Sequence, residues 1–579
     1  MKPAANLNAL WARALVDELV RGGVREAVVC PGSRSAPLAL ALAENAQITT
    51  RSILDERSAA FFALGAAKAT GRPAVVVATS GTAGAHFYPA ILEAEASRVG
   101  LFALTADRPP ELHGWGAPQT IDQQRLFGGH VRFFADAGLP EGATLAHLRA
   151  TVARACDEAR AGPVHLNAPF REPLAPIPGP LPEIADRPAL RHVRARGTPD
   201  VAEAARELAK RPRGVIVCGP RDAQDELPAA VRELSFRTGY AVLAEAGSQV
   251  RGTPSIRGTS HSAPEVRGSS QVPDDAPVAH YDSILRSEPW ARALRPDAVV
   301  RIGGGLTSKV LQAFVRGAYT VALADRDVID PFHDASLALF GDATATCRAL
   351  SRELSRAAPD GTSPGLLRTL FGEAERRAAE ACTRAIRFGE PLVARETVAA
   401  LREGALLFVS SSMPIRDVDA FGGAGARVLA NRGVNGIDGV VSSALGAAAA
   451  VGCPATVLLG DLALLHDLAG VIAAKRLGVP ITIVCVDNAG GGIFSFLPIA
   501  RHTERFEELF ATPQGVDLAQ VAALAGLRFH APTTADALRT ALAEARGGEL
   551  ICVRTNRADN VADHEVLHAA VAAALGSPP

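Results

Sequence analysis

Two apolar runs in the last third of the chain end in side chains that offer hard oxygens. The run at 456–460 passes into Gly460-Asp461-Leu462, and the run at 481–487 passes into Asp487-Asn488-Ala489-Gly490-Gly491. An Asp and an Asn at two strand ends, beside a helix start, can hold a Mg²⁺ that bridges a diphosphate. That ion takes six hard oxygens, and two side chains leave places for phosphate, carbonyl and water oxygens. The plainer reading of a strand-end Asp is a helix cap. Glu56, after an apolar run ending at Leu54-Asp55-Glu56, poses the same choice between a functional carboxylate and a cap for the helix opening near Arg57-Ser58. The glycine cluster at 303–309, GGGLTSK, lacks the register of a phosphate loop and reads as a turn.

Such residues need elements to position them. A helical pattern covers 8–22, and apolar strand-like runs follow at 26–30, before 56, at 73–79 and at 100–105. Continuous apolar strands with helices between them predict parallel sheets covered on both faces, with ligands beyond the carboxyl ends of the strands. A second α/β unit begins with the strand at 213–219, and 298–302 is another strand. The alternation resumes with strands near 405–410, 456–460, 481–487 and 549–554. Segments rich in Pro, Gly, Arg or Ser at 172–200 and 357–365 read as linkers, and 250–280 as a long loop. The expected division is 1–180, 190–356 and 366–579, three doubly wound α/β domains of which the outer two look like a duplication. No repeat is visible residue by residue.

Composition narrows the partners. A net charge of −1 over 579 residues gives no electrostatic footprint for nucleic acid or an anionic membrane. The uncharged stretch 440–459 is long enough to suggest a membrane helix, but Gly452-Cys453-Pro454 breaks it into an Ala-rich helix and a strand. The eight Cys are scattered, with no CxxC and no metal spacing, so they read as buried apolar side chains in a reducing cytoplasm. No basic region followed by an apolar signal core opens the chain. Only five of the 60 basic residues are Lys, so an arbitrary Arg carries little weight and a Lys within a motif carries more.

Longer motifs are more specific. Pro31-Gly32-Ser33-Arg34-Ser35, Asp55-Glu56-Arg57, Ser80-Gly81-Thr82 and Leu104-Thr105-Ala106-Asp107-Arg108-Pro109-Pro110-Glu111-Leu112 resemble the first domain of the 2-succinyl-5-enolpyruvyl-6-hydroxy-3-cyclohexene-1-carboxylate synthases. These are the thiamine-diphosphate enzymes of menaquinone biosynthesis. Ser411-Ser412-Met413-Pro414-Ile415-Arg416-Asp417, Asn431-Arg432-Gly433, Gly436-Ile437-Asp438-Gly439 and Gly491-Gly492-Ile493-Phe494-Ser495 resemble their last domain. The resemblance is strong in the first and last thirds and thinner between.

It implies a pyrimidine-binding first domain, a central domain and a diphosphate-binding last domain. The cofactor would lie between the first domain of one subunit and the last of another, in a homodimer or homotetramer. The implied reaction decarboxylates 2-oxoglutarate and adds the succinyl carbanion 1,4 to isochorismate. Glu56 would hydrogen-bond the aminopyrimidine ring and favour its imino tautomer, with Gln119 also catalytic. Ser412, Met413, Ile437, Gly460, Leu462 and Ala463 would contact thiamine diphosphate. Asp461, Asn488 and the Gly490 carbonyl would hold Mg²⁺ or Mn²⁺. Both substrates are dicarboxylates, and Arg34, Arg108, Arg416, Arg432 and Lys309 match carboxylate-binding positions, where guanidinium forks bind bidentately. Ser33, Gln119 and Ser412 match polar contacts, and Phe494 and Leu497 apolar walls. Gly-Asp-Leu stands where thiamine enzymes usually carry Gly-Asp-Gly, a change this family tolerates; Val310 stands where some members carry a second basic residue, and Ser411 replaces a common Asn. The alternatives are another thiamine-diphosphate decarboxylase or acetohydroxyacid synthase, and a non-catalytic scaffold relative.

Overall fold

Seventeen strands, all paired parallel, make three sheets in the computed structural model, which describes residues 4–176, 197–223, 225–251, 276–357, 365–402, 404–423 and 425–579. The first sheet contains β1 (Glu26–Val29), β2 (Thr49–Ser52), β3 (Ala74–Ala78), β4 (Leu101–Asp107), β5 (Phe133–Asp136) and β6 (Val164–Pro169), in the order β2-β1-β3-β4-β6-β5. The second contains β7 (Gly214–Cys218), β8 (Ala241–Ala244), β9 (Ala298–Ile302), β10 (Tyr319–Ala324) and β11 (Ala335–Phe340), in the order β11-β10-β9-β7-β8. The third contains β12 (Leu406–Val409), β13 (Arg427–Leu429), β14 (Ala455–Gly460), β15 (Ile481–Asp487), β16 (Arg528–His530) and β17 (Glu549–Arg554), in the order β13-β12-β14-β15-β17-β16. First and third sheets therefore share one strand order, so the duplication expected from the alternation exists as topology. Every residue of β3, β4, β6 and β15 is buried, as strands with helices on both faces require.

In both outer sheets the connection reverses direction after the second strand, which opens a crevice at the carboxyl ends of β1 and β3 and again of β12 and β14. The motif segments leave the sheets there. Pro31–Ser35 follows β1, Ser80-Gly81 follows β3, Ser411-Ser412 follows β12 and Asp461 follows β14.

The two outer units meet through α1 (Glu56–Thr70) and α2 (Val440–Val451), which share one apolar core with the faces of both sheets. The helices touch backbone to backbone. A Cβ at Gly65 would lie 1.8 Å from the Ser443 carbonyl oxygen, and one at Gly446 would lie 1.8 Å from that of Phe62. Lys68, on α1, ties in the central unit: its buried ammonium donates to Glu93, Ser97, Asp222 and the Ala430 carbonyl at 3.1–3.2 Å. Burial works against its charge, and Asp222 and Glu93 more than offset it, so its pKa is raised. A second shared core joins the central sheet to the helices Leu366–Ala385 and Arg557–Leu575.

The uncharged stretch 440–459 is α2 and most of β14, and among the described residues no helix is long and apolar enough to cross a membrane. All eight Cys are free, and seven are buried. One boundary needs correction. The strand expected to end at Leu54-Asp55-Glu56 is β2 and stops at Ser52, because this edge strand is polar and half exposed while the apolar Ile53-Leu54 lies beyond it. Most of the 172–200 and 357–365 linkers and of the 250–280 loop, namely residues 177–196, 358–364 and 252–275, lies outside the described residues. Arg251, at the start of that loop, is buried and donates to the Asp419 carbonyl at 2.6 Å.

Candidate active site

At the carboxyl ends of β14 and β15, two buried oxygens have no partner among the described residues. Asp461 opens the helix Asp461–His466 and is 5% exposed, and its Oδ1 accepts no hydrogen bond. Burial raises its pKa to about 6; the Leu462 N–H opposes the shift and the Asp487 charge adds to it. Asn488 lies just beyond β15, and its Nδ2 donates to Glu390 Oε1 at 2.8 Å while its Oδ1 is buried and unpaired. Leaving such an oxygen unpaired costs about 1–3 kcal/mol, more when it is charged, so this pair is suited to a cation. Asp487 is engaged elsewhere, accepting from Arg554 at 3.1 Å. Gly490, at φ 133°, can only be Gly, since a Cβ would sit 2.1 Å from the Ala511 carbonyl oxygen. Its own carbonyl accepts the Gly492 N–H at 2.9 Å and keeps a lone pair. Among the described residues no three His, Cys, Asp or Glu side chains cluster to hold a metal. A cation here would complete its shell with carbonyl, phosphate and water oxygens, which is Mg²⁺ chemistry. The residues present therefore fit a metal-bridged diphosphate.

Gly460, half-buried Leu462 and buried Ala463 surround Asp461. Ser412 stands across the crevice after β12 at φ 76°, a strained backbone for a residue with a side chain, and it leads into the helix Met413–Phe421. Met413 is buried, and half-buried Ile437 packs on the core shared by α1 and α2. The Arg416 guanidinium donates to the Ser412 carbonyl. Phe494 meets the Phe510 ring edge-on at 5.9 Å, and Leu497 is exposed.

At the carboxyl end of the first sheet the helix cap is Asp55, whose Oδ1 accepts the Ser58 N–H at 2.8 Å. Glu56 is thus released from the capping role the sequence left open. Its half-buried carboxylate makes no hydrogen bond or ion pair among the described residues. It lies beside the end of β1, where burial first and the Glu56 charge second push the Cys30 thiol up. Arg34 is buried; its Nη1 donates to the Phe170 carbonyl at 2.8 Å, its Nη2 pairs with Glu172 at 3.1 Å and its Nε is unpaired. Burial and then the nearby Arg108 lower its pKa, so two guanidiniums share this corner. Gln119, at φ 57°, donates Nε2 to the Ser80 carbonyl at 3.1 Å. Ser33 is exposed in the turn before the helix Ala36–Glu44.

A third group stands against the central unit. Arg432 Nη2 donates to Thr307 Oγ1 at 3.2 Å with its Nε buried and unpaired, and exposed Lys309 follows Ser308, the cap of its helix. The glycines at 303–305 are the bend leaving β9. A cleft of about 720 Å³ nearby includes Arg98, Arg301, Arg432 and Asn435 in its lining but none of the residues at the ends of β14 and β15. The structure thus gathers the predicted residues into three groups within one chain, and no bond joins Glu56 to Asp461 or Asn488. Among the buried carboxylates that the sequence does not mark, two lie against these groups, Glu245 and Glu390. Glu245 follows β8 and accepts from the Thr307 hydroxyl at 3.0 Å and the Ser308 N–H at 3.3 Å, and the strand-end rule applied to β8 would have found it. Glu390 lies on a helix, and nothing in the sequence around it points to Asn488.

Two crevices of one strand order, one beside a carboxylate with no partner among the described residues and one with a pair of unpaired buried oxygens, are the setting of a thiamine-diphosphate-dependent enzyme. Residues 11–126 match the family described as "Thiamine pyrophosphate enzyme, N-terminal TPP binding domain", and residues 424–553 match its C-terminal TPP binding domain. Proteins named 2-succinyl-5-enolpyruvyl-6-hydroxy-3-cyclohexene-1-carboxylate synthase are similar along the whole chain. That of Myxococcus xanthus is 53% identical over 100% of both chains, and that of Chloroflexus aurantiacus is 41% identical over 99% of this chain and 98% of its own. That of Geobacillus thermodenitrificans is 41% identical over 97% and 96%. The chain belongs to this synthase family.

Proposed function

We propose that this chain decarboxylates 2-oxoglutarate on thiamine diphosphate and adds the succinyl carbanion 1,4 to isochorismate, within menaquinone biosynthesis. The relatives are named for a product with a succinyl group on an enolpyruvyl cyclohexene ring. A five-carbon 2-oxo dicarboxylate that loses CO₂ supplies that group. The observation that carries the reading is the pair of unpaired buried oxygens, Asp461 Oδ1 and Asn488 Oδ1, at neighbouring strand ends.

When bound, thiamine diphosphate supplies the electron sink for loss of CO₂ and the acyl-anion equivalent that is transferred. The chain does the rest. Asp461, Asn488 and the Gly490 carbonyl would hold Mg²⁺, or Mn²⁺, when the cofactor is bound. Backbone and side chains at Gly460, Leu462, Ala463, Ser412, Met413 and Ile437 orient the organic part. Glu56, with no competing partner among the described residues, is the carboxylate that would hold or give up a proton toward the bound cofactor, the kind of group whose positioning contributes about 10²–10⁴ in rate. Arg34, Arg108, Arg416, Arg432 and Lys309 bind the substrate carboxylates, Ser33, Gln119 and Ser412 their polar groups, and Phe494 and Leu497 their apolar edges. The site takes Glu56 from one subunit and Asp461 from another, in a homodimer or homotetramer. The domain division is at 1–180, 190–356 and 366–579, and eight free Cys fit a reducing cytoplasm.

Mass spectrometry of the protein given thiamine diphosphate, Mg²⁺, 2-oxoglutarate and isochorismate tests this reading. A succinylated cyclohexene is expected only when all four are present. Release of CO₂ at an undiminished rate without isochorismate would make the protein a simple decarboxylase and remove the acceptor site.

A further inference from the structure

Glu390 opens the helix Glu390–Ala399, far in sequence from either crevice, yet its carboxylate is 3% exposed and reaches the end of β15. Its Oε1 accepts from Asn488 Nδ2 at 2.8 Å and from Thr555 Oγ1, just beyond β17, at 3.1 Å. The two ends of an Asn amide have nearly the same shape and opposite chemistry, and only their partners decide which way the group faces. A carboxylate accepts and so selects the NH₂ end. The oxygen end must then point away from Glu390, and it is this Oδ1 that lies buried without a partner. Were the amide reversed, two N–H bonds would face the place a cation needs an oxygen.

We propose that Glu390 is a positioning residue that fixes the Asn488 amide with its oxygen toward the metal. The inference rests on the reading of Asn488 as a metal ligand. Partners that orient a ligand in this way are typically worth 10- to 100-fold in metal affinity.

Calorimetric titration of Mg²⁺ into the full chain in saturating thiamine diphosphate tests it without any turnover. Glu390→Gln replaces a pure acceptor by a group that can present either end, and it is expected to weaken Mg²⁺ binding about 10-fold or more. The decisive comparison is the same substitution in an Asn488→Asp background. A carboxylate at 488 has oxygens at both ends and no orientation to fix, and it would be repelled by Glu390. There, Glu390→Gln is expected to leave Mg²⁺ affinity unchanged or to raise it. An equal loss in both backgrounds would mean that Glu390 acts through general support of the fold, which overturns the inference. If Glu390→Gln fails to fold, Glu390→Asp, which keeps the charge but withdraws the oxygen, carries the same expectation in the Asn488 protein. Wild-type Mg²⁺ affinity in the variant tested, beside an Asn488→Ala protein that has lost it, would overturn the inference and leave the metal site standing. Wild-type affinity in Asn488→Ala itself would remove the metal site and the inference with it.

Discussion

Glu56 and Asp461 both open helices, but their surroundings give them different work. Glu56 has lost the capping duty to Asp55 and, among the described residues, has no bond to give up. Glu56→Gln is therefore expected to leave the thermal unfolding midpoint unchanged and lower turnover by about 10²-fold or more; near-normal turnover would strip Glu56 of its proton. Asp461→Ala removes one of two unpaired oxygens, and titration calorimetry should show thiamine diphosphate losing its Mg²⁺-dependent affinity. A residue outside the site sets a pH response. His165 is buried between the Phe127 and Phe134 rings, 4.8 and 5.1 Å away. The Thr105 hydroxyl donates to Asn167 Oδ1 and so accepts from His165 Nε2 at 2.8 Å, leaving Nδ1 unpaired. Burial lowers its pKa from 6.5 to about 3. Below pH 6.5 the unfolded chain binds a proton that the folded chain refuses. The stabilisation is thus complete above pH 6.5 and is lost as pH falls toward 3, by about 1.4 kcal/mol per pH unit. His165→Gln should flatten the dependence of the denaturant midpoint on pH below 6.5, and an unchanged slope would place the acid sensitivity elsewhere.

At the scale of elements, the contact between α1 and α2 decides how the outer units sit in one chain. Gly446→Ala puts a methyl where the Phe62 carbonyl already is, and the helices must part, at a cost of about 1–3 kcal/mol or more. Gly372, within the helix Leu366–Ala385, has nothing within 4 Å of its Cβ position. Gly372→Ala should stabilise by about 0.5–1 kcal/mol through helix propensity alone. Opposite shifts in the unfolding midpoint are expected, and a rise in both would show that propensity, not the backbone approach, governs α2. The same elements show what a sequence can yield. β9, β15 and β17 are legible to the residue because each is built on a run of apolar residues, as interior strands of a parallel sheet are, with charged residues only at isolated positions such as Arg301 or at the ends. β13 and β16, three residues each at sheet edges, carry no such run and were not read, and polar β2 was placed too late. The oxygens of Asp461 and Asn488 can be singled out from the sequence because strand ends in such sheets are where ligands bind, and Glu56 because it stands a few residues past one. Glu390 cannot, because its position beside Asn488 exists only after a helix and two strands have packed.

For the whole molecule, the question is which Glu56 serves which Asp461. Within one chain α1 and α2 lock the outer units together, and still no bond joins the Glu56 carboxylate to Asp461 or Asn488. Leu54 and Trp115, in the loops of the first unit, are 82% and 84% exposed, apolar surface that a second copy can cover. If the site forms between subunits, Glu56→Gln and Asp461→Ala are each inactive alone but complementary when mixed. In a mixed dimer one site inherits both substitutions and the other inherits neither. Unfolding and refolding an equimolar mixture makes about half the dimers mixed, each with one intact site, so activity should return to about a quarter of wild type. A site built within one chain would give no recovery, since every chain carries one lesion. Size-exclusion chromatography before and after refolding separates that outcome from a failure to exchange subunits: dimers that have exchanged and remain inactive would place Glu56 and Asp461 in the same chain's site.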